Sequence, residues 1–393
     1  MTPGKRALII SQSVLVSDPR VRREIDWFAG SGWTVDTLGL GEVPDPVVRD
    51  HFALGRQAGW VRSKLGVLVI YGLLRHRTQF RLLTEDRIPI EAERRIREGE
   101  YDLVFFNDTD LIPWIGNSRT FGPGTSDTLM HLDMHEFHDP TLPATSLWRV
   151  LTRRYYRWSR SFIGNDRFTS RTTVASRIAE LYADEFGIEK PALVRNIPPF
   201  EDLTPSPVDP DRVRLVFHGL GSRQRGLKQI VDALRQLDDR FTATFMLMGN
   251  PIAQAEIKEY AKDMSDRVQF NPPAPMRDLA RVVNQYDLEV MFYRPDSANL
   301  EFALPNKFFE AIQGRLGLVI GESPMMAELV RAYGNGAIVS GWTATDLADT
   351  LRSIDVDSLR AMKEASHRAA RELNAEIEGR VMLATVTAPG RPA

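Results

Sequence analysis

The sequence predicts an α/β protein built as two doubly wound lobes, and three observations carry that prediction. Apolar strands alternate with amphipathic helices in both halves of the chain, as buried parallel sheets require. At 393 residues the chain exceeds what one core usually organises, so two domains of about 150 to 200 residues are expected. Between the halves, Pro198 to Asp211 is rich in proline and aspartate, the composition of a linker.

Composition narrows the function. A formal net charge of −2 argues against general nucleic-acid binding. The absence of cysteine excludes disulfides, thiolate catalysis and cysteine zinc sites, and fits a reducing compartment. The N-terminus runs straight into an apolar strand, so no signal peptide is expected. Leu65 to Leu74, the longest candidate membrane run, is far short of the roughly 20 residues that span a bilayer. A cytoplasmic protein is expected.

In the first half, Arg6 to Ser11 reads as a strand, and Asp18-Pro19 as a helix start with aspartate as cap. Val21, Ile25 and Phe28 fall on one face of that helix, Gly30 and Gly32 end it, and Trp33 to Leu38 is the next strand. This βαβ unit lacks a Gly-x-Gly-x-x-Gly fingerprint, so no dinucleotide is suggested there. Arg20, Arg22 and Arg23 read as a solvated helix face.

Residues 56 to 81 carry Arg56, Arg62, Lys64, Arg75, Arg77 and Arg81 without an acidic residue, interleaved with Trp60, Leu65 and Leu68. A second such run holds Arg149, Arg153, Arg154, Arg157 and Arg160 beside Tyr155, Tyr156 and Trp158. Cationic, partly apolar segments suit an anionic membrane surface or an acceptor phosphate, and equally the basic outer faces of ordinary helices.

Leu103 to Phe106 and Leu129 to Met134 are buried strands ending in Asn107-Asp108 and His135-Glu136. Ligands of open parallel sheets sit beyond such carboxyl ends. Asp133, Glu136, His138 and Asp139 crowd the second of them, without the His-Glu-x-x-His spacing of helical zinc sites, so no metal is expected. Strand, helix and strand follow from Thr172 to Pro199, with Ser176 as the expected cap.

The second half opens with Val213, Leu215 and Phe217 alternating along a strand into the loop His218 to Gly226, then a helix striped by Leu227, Ile230, Val231 and Leu234. A glycine-bearing loop with basic residues before a helix can seat an oxyanion. Further strands are expected at Ala243 to Gly249, Val268 to Asn271 and Asp287 to Tyr293, and helices over 344 to 387.

Residues 299 to 321 are the centre of the functional reading. Pro305 suits the first turn of a short helix, Gly314 the left-handed residue that closes it, and Leu318 to Ile320 a buried strand. Unpaired N–H groups at the helix start favour a phosphate, Lys307 adds a full charge, and Glu310 lies one turn further in, where ribose hydroxyls could donate to it. Pro324 opens the next helix and Gly334 ends it.

The string LPNKFFEAIQGRLGLVIGESPMMAELVRAYGNG resembles the nucleotide-binding region of glycosyltransferase family 4, in the branch with Leu-Pro-Asn-Lys before the acidic residue. SDPRVRREIDWFAGSGWTV and HLDMHEFHD resemble the family's first βα unit and central strand end. The resemblance implies a GT-B fold, two Rossmann-like domains facing a central cleft. Residues 1–200 would form the acceptor side and 201–360 the nucleotide-sugar domain. Residues 361–393 would hold a helix returning to the first domain, from about Arg360 to Leu383, and the tail.

The resemblance also implies residue roles. His135 would lie beside the donor sugar. Arg225, six residues after Gly219, matches the family's basic contact to the diphosphate. The arginine expected next to that glycine is replaced by Leu220, which leaves Arg223 to supply the contact. Lys307 would support the departing charge beside Asn306, and Glu310 would hold the ribose. The family's first glutamate falls at Phe302, with Glu301 one residue out of register as the donor-contact candidate.

The implied activity is retaining transfer of a sugar from a nucleotide diphosphate to a hydroxyl of a glycan, glycolipid or small molecule. No metal or other cofactor is expected, because two cationic side chains and a helix end can meet the departing diphosphate. Asp108-Thr109-Asp110 reads as a strand-end loop. The partners expected are the nucleotide sugar, the acceptor and an anionic membrane surface. A nucleotide-sugar 2-epimerase and a degenerate transferase acting as a scaffold remain as alternatives.

Overall fold

A computed structural model describes residues 4–388 other than 136, 138–146, 293 and 296–297. The chain divides into two compact units, Met1–Val194 with Gly379–Ala393, and Arg195–Glu378.

In order, the first unit holds β1 (Arg6–Val14), α1 (Pro19–Gly30), β2 (Thr34–Leu40), β3 (His51–Ala53), α2 (Lys64–Leu73), α3 (His76–Leu83) and α4 (Ile90–Arg97). Then come β4 (Leu103–Asn107), β5 (Leu129–Met134), α5 (Leu147–Arg160), β6 (Ser170–Thr173), α6 (Ser176–Phe186) and β7 (Ala192–Leu193). The strands form one parallel sheet in the order β3-β2-β1-β4-β5-β6-β7. Order reverses between β1 and β4, the switch point beyond which ligands sit in doubly wound folds.

Local chemistry explains the start of this unit. Asp18 caps α1 by accepting from the N–H groups of Arg20 and Val21, with Pro19 at the first helical position. Val21, Ile25 and Phe28 are buried against Ile9 and Phe105 in one core. Fully burying each such side chain stabilises the fold by about 1.5 to 3 kcal/mol. The expected cap at Ser176 is not one: α6 begins there, and Ala175 occupies the cap position without a side-chain hydrogen bond.

The second unit holds β8 (Val213–Leu220), α7 (Leu227–Leu234), β9 (Phe241–Met248), α8 (Pro251–Tyr260), β10 (Val268–Asn271), α9 (Leu279–Val283), β11 (Leu288–Met291) and α10 (Ala298–Glu301). It continues with α11 (Asn306–Gln313), β12 (Gly317–Gly321), α12 (Pro324–Tyr333), β13 (Gly336–Val339), α13 (Ala344–Ser353) and α14 (Val356–Ala369). The parallel order β10-β9-β8-β11-β12-β13 puts the switch point between β8 and β11.

Strand parity sorts the core of this sheet into two layers. Leu215, Phe217, Val290 and Val319 pack with Ile230 of α7 and Leu347 of α13. The alternate residues Val216, Met291, Leu318 and Ile320 pack with Phe308 of α11 and Met326 of α12. His218 and Glu289 share the parity of this second set, so both face the layer that holds α11.

The interdomain linker expected at Pro198 to Asp211 groups with the second unit, which starts at Arg195: Phe200 packs on the α11 layer, Val208 on the α7 layer, and Ser206 donates to the Asn284 carbonyl. Two expectations for this unit are corrected. Gly314 is right-handed at φ −78°, and the left-handed residue is Arg315 at φ 62°. Gly314 is needed for space instead, since a Cβ there would lie 2.5 Å from Val283 Cγ2. Arg315 is fully buried, and its guanidinium donates to the carbonyls of Glu201, Gln313 and Ile312, which explains why a strained arginine holds that turn.

The second correction concerns the C-terminus. The segment from about Arg360 does not leave as one piece, because Ala369, Ala370 and Leu373 belong to the α11 core layer and Lys363 binds Asp287. The last helix, α15 (Ala375–Thr387), begins in the second unit, and its residues from Gly379 group with the first. Gly379 makes that passage close, since a Cβ would lie 2.5 Å from Trp27 Cδ1. Among the described residues, no helix is long and apolar enough to cross a membrane.

Candidate functional site

The second unit gathers four of the expected residues at its switch point. Pro305 caps α11 in extended geometry at ψ 150°, so Asn306 and Lys307, not Pro305, are its first helical residues. The next N–H, of Phe308, bonds back to the Pro305 carbonyl. Lys307 is 8% exposed, and its ammonium has no hydrogen-bond partner among the described residues. It stands 3.6 Å from the centre of the Phe217 ring, a contact worth about 0.5 to 2 kcal/mol.

Gly219 makes room for that ammonium. The backbone there has φ +112°, and a Cβ would lie 3.1 Å from Lys307 Nζ. Both strain and crowding therefore oppose a side chain at this position. Burial, with the Arg225 charge acting in the same sense, lowers the Lys307 pKa to about 8, although Glu289 and Glu310 pull the other way. The Arg225 charge is therefore close enough to act on Lys307.

Arg225 closes a single helical turn, Arg223–Arg225, ahead of α7, and is half-buried. The turn is fixed by Gly226 at φ +68°, where a Cβ would lie 1.6 Å from the Phe292 carbonyl oxygen. Gly226→Ala is expected to destabilise this unit by about 2 to 4 kcal/mol, read by urea unfolding, because neither the dihedral nor the space can be kept. The Arg223 side chain lies outside the described residues.

Glu310 is reached by His218. Its Nδ1 lies 3.0 Å from Glu289 Oε2 and its Nε2 lies 2.9 Å from Glu310 Oε2. Burial opposes the imidazolium, but the two carboxylates outweigh it and push the His218 pKa up to about 9. His218 is therefore charged at neutral pH and locks Glu310, whose side chain keeps 15% exposure for a further partner. Glu301 stands apart: among the described residues no hydrogen bond or ion pair joins its carboxylate to this cluster, and its carbonyl accepts from Ser323 Oγ.

The first unit holds His135 just beyond β5. Its Nε2 lies 2.6 Å from Asp133 Oδ2 and its Nδ1 lies 3.4 Å from Asp108 Oδ2. Asp108 has φ 57° and accepts from the His135 N–H, which places this loop. Burial works against the charge, yet Asp108 and Asp133 hold the His135 pKa well above its ordinary range.

The expected solvated face of α1 is corrected at Arg20. Arg20 is 3% exposed, and it grips both Asp133 oxygens at 2.8 Å while Nε lies 3.3 Å from Glu24 Oε1. Glu24, Asp133 and His135 offer ligand atoms within 4.8 Å of one another. The guanidinium already neutralises that cluster, so it does not fit a metal ion. Burial and the Asp133 charge push the Glu24 pKa up, against the pull of Arg20. The other residues considered for metal, Glu136, His138 and Asp139, lie outside the described residues.

Sequence reasoning missed Glu289, the clamp on His218, and the role of Arg20. One signal was legible: a glutamate inside the short apolar strand Leu288–Met291 must be paired if it is buried. A cavity of about 750 Å³ beside α3, lined by Arg77, Arg81, Glu85, Asn117 and Arg119, lies on elements that carry none of these residues.

Comparison with known proteins bears on this architecture. The chain has the two-domain, Rossmann-like GT-B fold. A glycosyltransferase from Rickettsia africae superposes with a TM-score of 0.66 at 12% identity, over 98% of each chain. Sucrose-phosphate synthase from Thermosynechococcus elongatus gives 0.71 at 15% identity, over 96% of this chain and 97% of that one. Anabaena HepE, solved with UDP, gives 0.70 at 14% identity, over 98% and 100%. Residues 212–355 match the family model described as glycosyl transferases group 1, and with the fold this supports a GT-B glycosyltransferase. No curated protein matches the sequence.

Proposed function

We propose that the protein transfers a sugar from a nucleotide diphosphate to a hydroxyl acceptor with retention of anomeric configuration, and without a metal ion. The observation that carries this reading is the buried Lys307 ammonium, lacking a hydrogen-bond partner among the described residues, at the first turn of α11 beside Gly219. A buried cation at a helix start is stabilised by an anion, and a diphosphate supplies one. The Arg225 charge and the helix end add to it, so positive charge stands where negative charge develops as the sugar leaves.

Glu310, oriented by His218, accepts from the ribose hydroxyls. The leaving phosphate takes the acceptor proton on the face it departs from, because no side chain is assigned as a covalent nucleophile. His135 donates from Nδ1 to a sugar hydroxyl, in place of the longer of its two carboxylate contacts, the one of 3.4 Å to Asp108. The acceptor is a glycan, a lipid-linked sugar or a small molecule, and the setting is cytoplasmic. Uridine is the first base to test, since the similar Anabaena HepE is solved with UDP and with UDP-glucose.

Thermal-shift measurement with UDP, GDP, dTDP and ADP should show a rise in melting temperature for one of them. At saturating donor, Arg225→Ala should lower kcat about 100-fold through lost charge at the leaving group. Glu310→Ala should weaken donor binding about 10- to 100-fold, the worth of hydrogen bonds to a charged group. Unchanged kinetics in both variants would contradict the reading, and donor turnover without acceptor would point to an epimerase.

A further inference from the structure

The apolar and basic helices α2 and α5 of the first unit carry none of the residues of the candidate site. Helix α2 is apolar nearly all round, and three of its leucines face outward: Leu65 is 72% exposed, Leu68 47% and Leu73 79%. Leu65, Leu68 and Gly72 follow at helical spacing, so they form one stripe with Leu73 beside it. Trp60 is 50% exposed in the turn just ahead of the helix. Gly66 fixes that turn, because a Cβ there would lie 2.0 Å from the Trp60 carbonyl oxygen.

The opposite face of α2 is anchored by fully buried Ile70. Tyr71 is on the flank next to Leu68, and its ring meets Tyr155 of α5 edge-on at 5.7 Å, so helix α5 lies along that flank. Its Arg153, Arg154 and Arg157 are exposed, as are Lys64 and Arg75 at the two ends of α2. From His51 to Thr84 the chain has six basic residues and no acidic one, and α5 has no acidic residue either.

A helix packed on a soluble protein normally turns polar residues outward, and a contiguous row of exposed leucines marks a surface that leaves water on binding. The charge around the row selects the partner. Two copies of the chain would bring like charges together, which opposes self-association. An anionic bilayer receives both features at once, with leucine and tryptophan in the boundary layer and arginine among the phosphates.

We propose that the Trp60 turn, the outer face of α2 and the basic face of α5 form a peripheral docking surface for anionic lipid membranes. The surface holds the first unit against the bilayer by shallow insertion of Leu65, Leu68 and Leu73, with Arg153, Arg154 and Arg157 neutralising headgroups. It is independent of the nucleotide reading, so Lys307→Met should bind membranes as the wild type does.

The test is sedimentation of the full-length protein with vesicles of phosphatidylcholine alone or mixed with phosphatidylglycerol. Binding is expected only to the mixed vesicles. It should weaken strongly between 0.1 and 1 M salt as the screening length falls from about 10 to about 3 Å. Leu65→Glu with Leu73→Glu should weaken it about 100-fold or more at an unchanged melting temperature, because both positions are exposed. Arg153→Glu with Arg157→Glu should weaken it by about tenfold per charge or less. No binding to anionic vesicles at low salt, equal binding to neutral ones, or binding that survives the leucine variant would overturn the proposal. So would a dimer in light scattering that the leucine variant splits, since the surface would then serve a second copy.

Discussion

Lys307→Met should lower turnover about 1,000-fold while leaving the unliganded protein as stable as before, or more so. The ammonium is buried without a hydrogen bond among the described residues, and its pKa falls from 10.5 to about 8 because burial, with the Arg225 charge, outweighs the attraction of Glu289 and Glu310. That fall corresponds to about 3 kcal/mol acting against the charged form below pH 8, and methionine of similar shape removes it. The same substitution takes away the charge that a diphosphate would meet, so kcat should fall about 1,000-fold and the nucleotide-induced rise in melting temperature should vanish. A variant that is more stable yet far less active separates function from folding, and calorimetry with and without nucleotide reads both. A destabilised Lys307→Met would mean that the lysine holds the unit together instead.

The pH dependence follows with a fixed sign. In the free protein Lys307 gives up its proton near pH 8, whereas a bound diphosphate keeps it on. Nucleotide affinity should therefore be flat below pH 8 and fall by up to about tenfold per unit above it. In Lys307→Met this decline should be absent, which titration calorimetry at pH 7 and pH 9 checks.

His218→Leu should have the largest effect on stability. It leaves Glu289, fully buried, without its imidazolium. Breaking a buried ion pair from one side costs about 3 to 5 kcal/mol. For a unit of this size that lowers the melting temperature by about 6 to 20 °C. Adding Glu289→Leu should restore much of it, because the pair is then replaced by apolar groups, while donor binding stays weak for want of an oriented Glu310.

The sign of the pH effect is the reverse of an acid's. The folded pKa of His218, about 9, is raised above the ordinary 6.5. Its contribution of about 3 kcal/mol is thus fully present below pH 6.5 and lost as pH rises through 9. The stability gap between wild type and His218→Leu should narrow over that window. A gap that is constant from pH 6 to pH 9 would show that the histidine is not charged in the fold.

Much of this was legible in the residues, for identifiable reasons. Strand and helix alternation, the Asp18 cap and the Pro324 and Gly334 boundaries obey local rules, so reading them needs no partner. The role of Arg225 was legible through the family resemblance, and those of Lys307 and Glu310 also through the short helix that carries them. The clamp on His218 was not, since Glu289 and Glu310 meet it from two separate elements. Arg20 was misread for the same reason: the helix pattern puts it outward, and only β5, more than a hundred residues later, supplies the Asp133 that draws it in. Gly314 and Arg315 show a subtler failure, in which glycine was needed for contact and its neighbour took the strained dihedral.

The passage of α15 from one unit to the other orders events during synthesis. Met382 and Val386 pack in the same core as Ile9, Val21 and Phe28. The unit that begins at the earlier residues therefore lacks part of its interior until Met382 and Val386 have been made, whereas Arg195–Glu378 is one uninterrupted segment. Domains usually mature from the N-terminus onward as the ribosome advances; here the later segment can settle first, and a nascent chain stopped before Met382 leaves the earlier one open to proteolysis.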